Sequence, residues 1–102
     1  MITKLKYEII ILLNEEFNDS ELKTWAFKYA KELQNLGGSE ISVISRGKRS
    51  LAYDIKNQDR GNFIEISLQI SPLTIELFNK ALVLDENVLR FLILKNDLVV
   101  KE

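Results

Sequence analysis

Gly47-Lys48-Arg49-Ser50-Leu51-Ala52-Tyr53-Asp54-Ile55 is the stretch on which the reading of the chain turns. Leu51, Tyr53 and Ile55 alternate with Ser50, Ala52 and Asp54, the period-2 mark of a strand with one buried side. Just before it, Gly47 and the cations Arg46, Lys48 and Arg49 interrupt a strand pattern carried by Ile41 and Val43. A basic break inside an otherwise regular strand predicts a bulge that aims side chains at something outside. The polar run Asn57-Gln58-Asp59-Arg60-Gly61 reads as a hairpin loop. Phe63 to Ile70 returns as a strand, with Ile64, Ile66, Leu68 and Ile70 on one side and Glu65, Ser67 and Gln69 on the other.

Upstream of this hairpin, Leu5 to Leu13 begins alternating and becomes wholly apolar, which suits a central strand whose far end is covered on both faces. A helix follows. Asn18 can cap it, Glu21 stands where a capping box needs it, and Phe17 can staple onto Leu22. Leu22, Trp25, Tyr29, Leu33 and Leu36 share one helical face with Ala26 and Ala30, whereas Phe27 lies off it. Trp25 and Tyr29 read as packing residues, and Gly37-Gly38 ends the helix. Downstream, Ser71-Pro72 reads as a second helix start, with serine as cap and proline at the first helical position. Ile75, Phe78, Ala81 and Leu82, helped by Leu77, give its buried face. Asp85-Glu86-Asn87 breaks it, and Val88 to Leu94 is a last strand.

The order strand, helix, strand, strand, helix, strand predicts the α+β class, a ferredoxin-like βαββαβ sandwich. In it a four-stranded antiparallel sheet carries two helices on one face. One domain is expected over residues 1–95, with a short tail at 96–102 whose Leu98-Val99-Val100 either adds to a neighbour as a strand or frays. The other sheet face is left open. Ile10, Leu12, Leu92 and Leu94 are expected toward it, and Glu8 and Glu65 on the same side.

Composition narrows the function. The chain has 102 residues, 14 Lys and Arg against 15 Asp and Glu, and neither cysteine nor histidine. That removes disulfides, thiolate ligands and the commonest general base and metal ligand, so no metal, cofactor, small-molecule substrate or catalysis is expected. A net charge of −1 argues against gripping nucleic acid over the whole surface, so any RNA contact must be local or shared with a basic partner. Met1-Ile2-Thr3-Lys4 runs directly into a strand pattern, with no signal or transit peptide expected. The longest apolar run, Ile9 to Leu13, is too short to span a bilayer.

Several separated motifs, in order, resemble the bacterial-type ribosomal protein six of the small subunit. Gly47, Lys48, Arg49, Leu51, Ala52, Tyr53 and Ile55 match that family's central signature. Tyr7-Glu8 is similar to its opening, Gly37-Gly38 stands where its first helix ends, and Asp85, Val88, Leu89, Arg90 and Phe91 resemble its entry into the last strand. Arg46 stands where many members carry an aromatic residue, and Asp54 where many carry proline. The resemblance implies a structural protein of the small subunit that pairs with ribosomal protein eighteen. The pair would bind the central domain of the small-subunit ribosomal RNA, with no catalytic activity. The basic partner would then supply much of the phosphate neutralisation. The compartment implied is a plastid stroma or a bacterial cytoplasm, with the wealth of isoleucine, leucine, lysine and asparagine reminiscent of an AT-biased genome.

On this reading Arg46, Lys48 and Arg49 contact RNA phosphates or partner carboxylates. Without it, charge that protects an exposed strand edge explains them as well. Lys56 and Arg60 flank the hairpin loop as weaker candidates, since loop cations are usually just solvated. Arg90 lies inside an apolar strand, where a long cation must snorkel or pair, and is the better single candidate. Tyr53 is expected to pack into the core with its hydroxyl at the rim.

Three rivals share the fold. An RNA-recognition motif would need stacking aromatics where Asn62 and Ile64 stand. An acylphosphatase-like hydrolase would need an anion-binding loop where the acidic Asn14-Glu15-Glu16-Phe17 follows strand one. A small ligand-binding regulatory domain is the principal alternative, although no convergent polar pocket is legible in the sequence.

Overall fold

The computed structural model describes residues 3–56 and 58–101, and the side chains of all of these except 3, 52, 54 and 97–101. Asn57, at the centre of the expected hairpin loop, therefore lies outside the described residues. The elements are β1 (Thr3–Asn14), α1 (Asp19–Asn35), β2 (Ser39–Ile55), β3 (Gln58–Ile70), α2 (Ile75–Leu84) and β4 (Val88–Lys101). The strands form one sheet in the order β2-β3-β1-β4, with every neighbouring pair antiparallel. This is the ferredoxin-like βαββαβ sandwich.

Cross-strand register sorts the side chains. Ile9 stands opposite Ile66 and Ile11 opposite Ile64, so these share a face, and all of them are buried. That face meets Leu22, Trp25, Tyr29 and Leu33 of α1 and Ile75, Phe78 and Leu82 of α2 in one cluster. Phe78 is wholly buried and meets Tyr29 edge-on, 5.6 Å between ring centroids, which joins the two helices. Burying such a ring is worth about 2–3 kcal/mol before its ordering cost is counted.

The helix α1 begins as its sequence predicts. Asn18 Oδ1 accepts from the Glu21 N–H at 2.8 Å, and Glu21 Oε1 accepts from the Asn18 N–H at 3.1 Å. Phe17 packs against the core and Phe27 is exposed. At the other end Gly37 takes φ +90, and the Gly38 N–H donates to Leu33 O.

The start of α2 differs from the sequence expectation. The helix begins at Ile75 after Thr74, and Ser71 caps a preceding turn instead: its Oγ accepts from the Leu73 N–H, and its carbonyl from Thr74 and Ile75. Leu77, expected to help the buried face, is exposed, because the stripe through Ile75, Phe78 and Leu82 already fills the contact with the sheet.

Two strands run well past their expected bounds, and a third bends. β2 ends at Ile55, Lys56 follows at φ +50, and β3 already begins at Gln58, so Gln58 to Gly61 belong to β3 rather than to a loop. The backbone of residues 96–101, expected as a tail, continues β4 alongside β1 up to the pair Thr3 and Lys101. β2 has 17 residues and straight would span roughly 55 Å at about 3.3 Å per residue. The whole molecule is only 45 Å long, so β2 bends. Its register with β3 slips between Ser45 and Gly47 and again between Ser50 and Ile55. The first slip leaves Arg46 as the extra residue beside Gly47 at φ +80, the bulge that the basic break predicted.

Candidate interface on the hairpin and open sheet face

The face turned from the helices is defined by register. Leu12 pairs with Phe63 on one side and Arg90 on the other, Ile10 with Glu65 and Leu92, and Glu8 with Ser67 and Leu94. Ile10, Leu12, Leu92 and Leu94 therefore share the open side, as the alternation implied, with Glu8 and Glu65 among them. They differ sharply in exposure. Leu92 and Leu94 are 53% and 42% exposed, but Leu12 only 6%. The reason is the arm formed by the far ends of β2 and β3. Past the second slip it bends toward β4, and a groove of about 260 Å³ beneath it is lined by Leu12, Leu51, Ile55 and Phe63. The far end of β1 is thus covered on both faces.

Two cationic contacts hold the arm down. Lys56 Nζ donates to the Val88 carbonyl at 3.2 Å. Arg90 Nη1 donates to the Tyr53 hydroxyl at 3.0 Å, with the guanidinium carbon 5.7 Å from the ring centroid. Tyr53 is 62% exposed and does not pack into the core. As the period-2 reading implied, it lines the same groove as Leu51 and Ile55, but at the rim of the folded arm, with its ring beside Arg90 of the edge strand. Arg90 is exposed, and this pairing accounts for a cation within an apolar strand.

The other nominated cations are spread along the arm. Arg46 Nη2 meets Glu65 Oε2 at 3.1 Å, an ion pair half open to water and so worth at most about 1 kcal/mol. Arg49 Nε donates to the Arg46 carbonyl at 3.2 Å, closing the bulge on itself. Arg49 is in register with Gly61, on the open side; Lys48, in register with the buried Asn62, is on the helix side. Arg60 is exposed opposite Ser50. The structure therefore gathers Arg46, Arg49, Lys56 and Arg90 around the arm and sets Lys48 apart.

Two polar residues that hold this region in place were not anticipated. Asn62 is the one buried polar side chain among the described residues, and its Nδ2 donates to the Asn14 carbonyl at 2.9 Å. The Asn14 N–H in turn donates to the Asn87 carbonyl, so the ends of β1, β3 and β4 are tied at one point. Extending the alternation of Ile64, Ile66 and Leu68 back two residues would have placed Asn62 on the core face. The second is Asp85, which accepts from both Trp25 Nε1 and the Tyr29 hydroxyl. Two aromatic residues with polar tips, one turn apart on a core face, were the available signal that an acceptor was needed at the rim of the core.

Among the described residues no His, Cys, Asp or Glu side chains gather to hold a metal, and no helix is long and apolar enough to cross a membrane.

An antiparallel sheet with two helices behind it and a cationic arm folded over its front is a ferredoxin-like scaffold. The sequence model of the family described as Ribosomal protein S6 matches residues 6–95, and the chain belongs to that family. It is 65% identical over 89 residues to the small ribosomal subunit protein bS6c of Trieres chinensis, covering 87% of this chain and 93% of that protein. It is 55% identical to bS6c of Phaeodactylum tricornutum (91% and 95% covered) and 34% identical to bS6 of Trichormus variabilis (94% and 88% covered). In fold it is similar to the crystal structure of 30S ribosomal protein S6 from Thermotoga maritima. There the TM-score is 0.84 and the identity 17%, covering 91% of this chain and 88% of that one. The chain is a small-subunit ribosomal protein, a structural component of translation rather than an enzyme.

Proposed function

We propose that this chain binds the central domain of small-subunit ribosomal RNA jointly with ribosomal protein eighteen, and so supports subunit assembly. The observation that carries the reading is the charge of the arm. Between residues 46 and 60 five cations stand against two carboxylates, in a chain whose net charge is −1. A local excess of this kind supports a limited set of phosphate contacts shared with a more basic protein. Arg46, Lys48, Arg49, Lys56, Arg60 and Arg90 are the proposed contacts to RNA or partner, Arg49 and Arg90 foremost because they stand on the open side and most of their guanidinium donors are uncommitted. The two bS6c relatives from algae favour a plastid ribosome over a bacterial one.

The test is a titration of the purified protein onto a central-domain RNA fragment, with and without ribosomal protein eighteen, at two salt concentrations. Tight and salt-sensitive binding only with both proteins present is expected. Equal, weak binding with either protein alone or both together would overturn the joint reading.

A further inference from the structure

We infer that Tyr53 and Arg90 form a single anion-binding unit, in which the phenol holds the guanidinium and donates its own proton to the same RNA phosphate. The inference rests on the RNA-binding reading above and names the point where it acts.

The two residues come from strands at opposite edges of the sheet and meet only because the arm folds across the open face. The guanidinium has five N–H donors, and the contact with Tyr53 uses one. Among the described residues no carboxylate pairs with Arg90. The ring lies beside the guanidinium carbon at 5.7 Å, which restricts the side chain without neutralising it. The phenol oxygen accepts from a cation, so its O–H is polarised and turned away from Arg90, and no protein acceptor meets it among the described residues. A fork and a hydroxyl, both exposed and joined by one hydrogen bond, suit the two free oxygens of a phosphodiester. A partner carboxylate would present two oxygens as well. It would not bring the flanking negative charges that the other open-side cations of the arm, Arg49 and Lys56, are available to neutralise.

The test uses the full chain with ribosomal protein eighteen and the central-domain RNA fragment over a salt series. Tyr53→Phe keeps the ring and removes only the hydroxyl. It is expected to weaken binding about three- to tenfold with the salt dependence unchanged, because no charge is lost. Arg90→Ala is expected to weaken it more than about tenfold and to lower the slope of log affinity against log salt by about one. Arg90→Lys should restore the slope but little of the affinity, since it returns the charge without the fork. The double variant Tyr53→Phe/Arg90→Ala should bind no more weakly than Arg90→Ala alone. Thermal unfolding of each variant checks the fold, and Arg90→Lys carries the test if Tyr53→Phe is unstable. Wild-type affinity in Tyr53→Phe, full rescue by Arg90→Lys, or strictly additive losses would overturn the unit while leaving RNA binding intact. Absence of RNA binding by the wild-type pair would overturn both readings together.

Discussion

The Tyr29 hydroxyl lies 2.6 Å from Asp85 Oδ2 and donates to it. The same oxygen accepts from Trp25 Nε1 at 3.0 Å, and Oδ1 takes the Asn87 N–H at 2.9 Å. Trp25 and Tyr29 stand one turn apart, so their polar tips emerge on the same side of α1. One carboxylate thereby ties the middle of α1 to the junction where α2 ends and β4 begins. Desolvation alone would push the Asp85 carboxyl up. The hydrogen bonds from Tyr29, Asn87 and Trp25, with Lys28 nearby, outweigh it and leave the group below its ordinary value. Burial first, and then the bond to Asp85, pushes the Tyr29 phenol far above its own.

Removing the hydroxyl in Tyr29→Phe is expected to cost about 1–2 kcal/mol, and Asp85→Ala about 2–4 kcal/mol, because the latter strands two buried donors. Trp25 is the only tryptophan and sits in the cluster, so its fluorescence during denaturant unfolding reports both changes. If Asp85→Ala proved no worse than Tyr29→Phe, the Trp25 bond would be carrying no stability.

The cluster also sets a pH dependence at both ends. Asp85 has a depressed pKa, so its contribution is present above the ordinary 3.8 and is lost as pH falls through the lower folded value. Tyr29 has a raised pKa, so its contribution is present below the ordinary 10.0 and is lost as pH rises above it. Tyr7, raised mainly by burial and then by Glu76, adds to the alkaline loss. The stability gap between wild type and Tyr29→Phe should therefore be widest at neutral pH and narrow in acid. The alkaline decline should be smaller in Tyr29→Phe but not absent. Unfolding midpoints across pH decide this, and a gap that stays constant in acid would remove Asp85 from the account.

The long alternating or periodic runs made most of this fold legible. Ile9 with Ile11 and Ile64 with Ile66 could be assigned to one face because nothing interrupts them, and Asn18 with Glu21 announced the start of α1. The failures lie where a tertiary contact overrides a local pattern. Ser71-Pro72 carries the chemistry of a helix start, yet it makes a turn that lets the helix begin at Ile75, in register with the core. Tyr53 has the right period for burial, but two slips of register bend its strand. Of the candidate surface, the identity of the cations was readable and their grouping was not, because grouping depends on the fold of the arm over β4.

Gly61 is the position where that fold leaves no room. A Cβ there would lie 2.5 Å from Leu12 Cδ1 and 3.1 Å from the Leu13 carbonyl oxygen. Leu12 is itself buried beneath the arm and cannot simply swing away. Gly61→Ala is expected to destabilise by about 1–3 kcal/mol as an overpacking change. Trimming the obstacle in Gly61→Ala/Leu12→Ala should recover part of that loss relative to the sum of the two single costs. A double-mutant cycle in denaturant measures the coupling, and strict additivity would mean that the Leu12 side chain is not what opposes the methyl group.

Gly47 constrains the same arm through conformation alone. It takes φ +80, and no atom lies within 4 Å of where a Cβ would stand. Gly47→Ala should therefore cost about 1–2 kcal/mol from the left-handed backbone, with no steric part. Gly47→Asn should cost less, because asparagine tolerates that region better. If alanine instead flattens the bulge, Arg46 rejoins the ladder, every residue beyond it changes face, and Tyr53 can no longer reach Arg90. Hydrogen exchange at residues 46–56 separates the two outcomes. Unchanged protection with reduced global stability marks strain alone, and lost protection along the arm marks a slipped register. No change in either would place the bend of β2 entirely at the second irregularity, between Ser50 and Ile55.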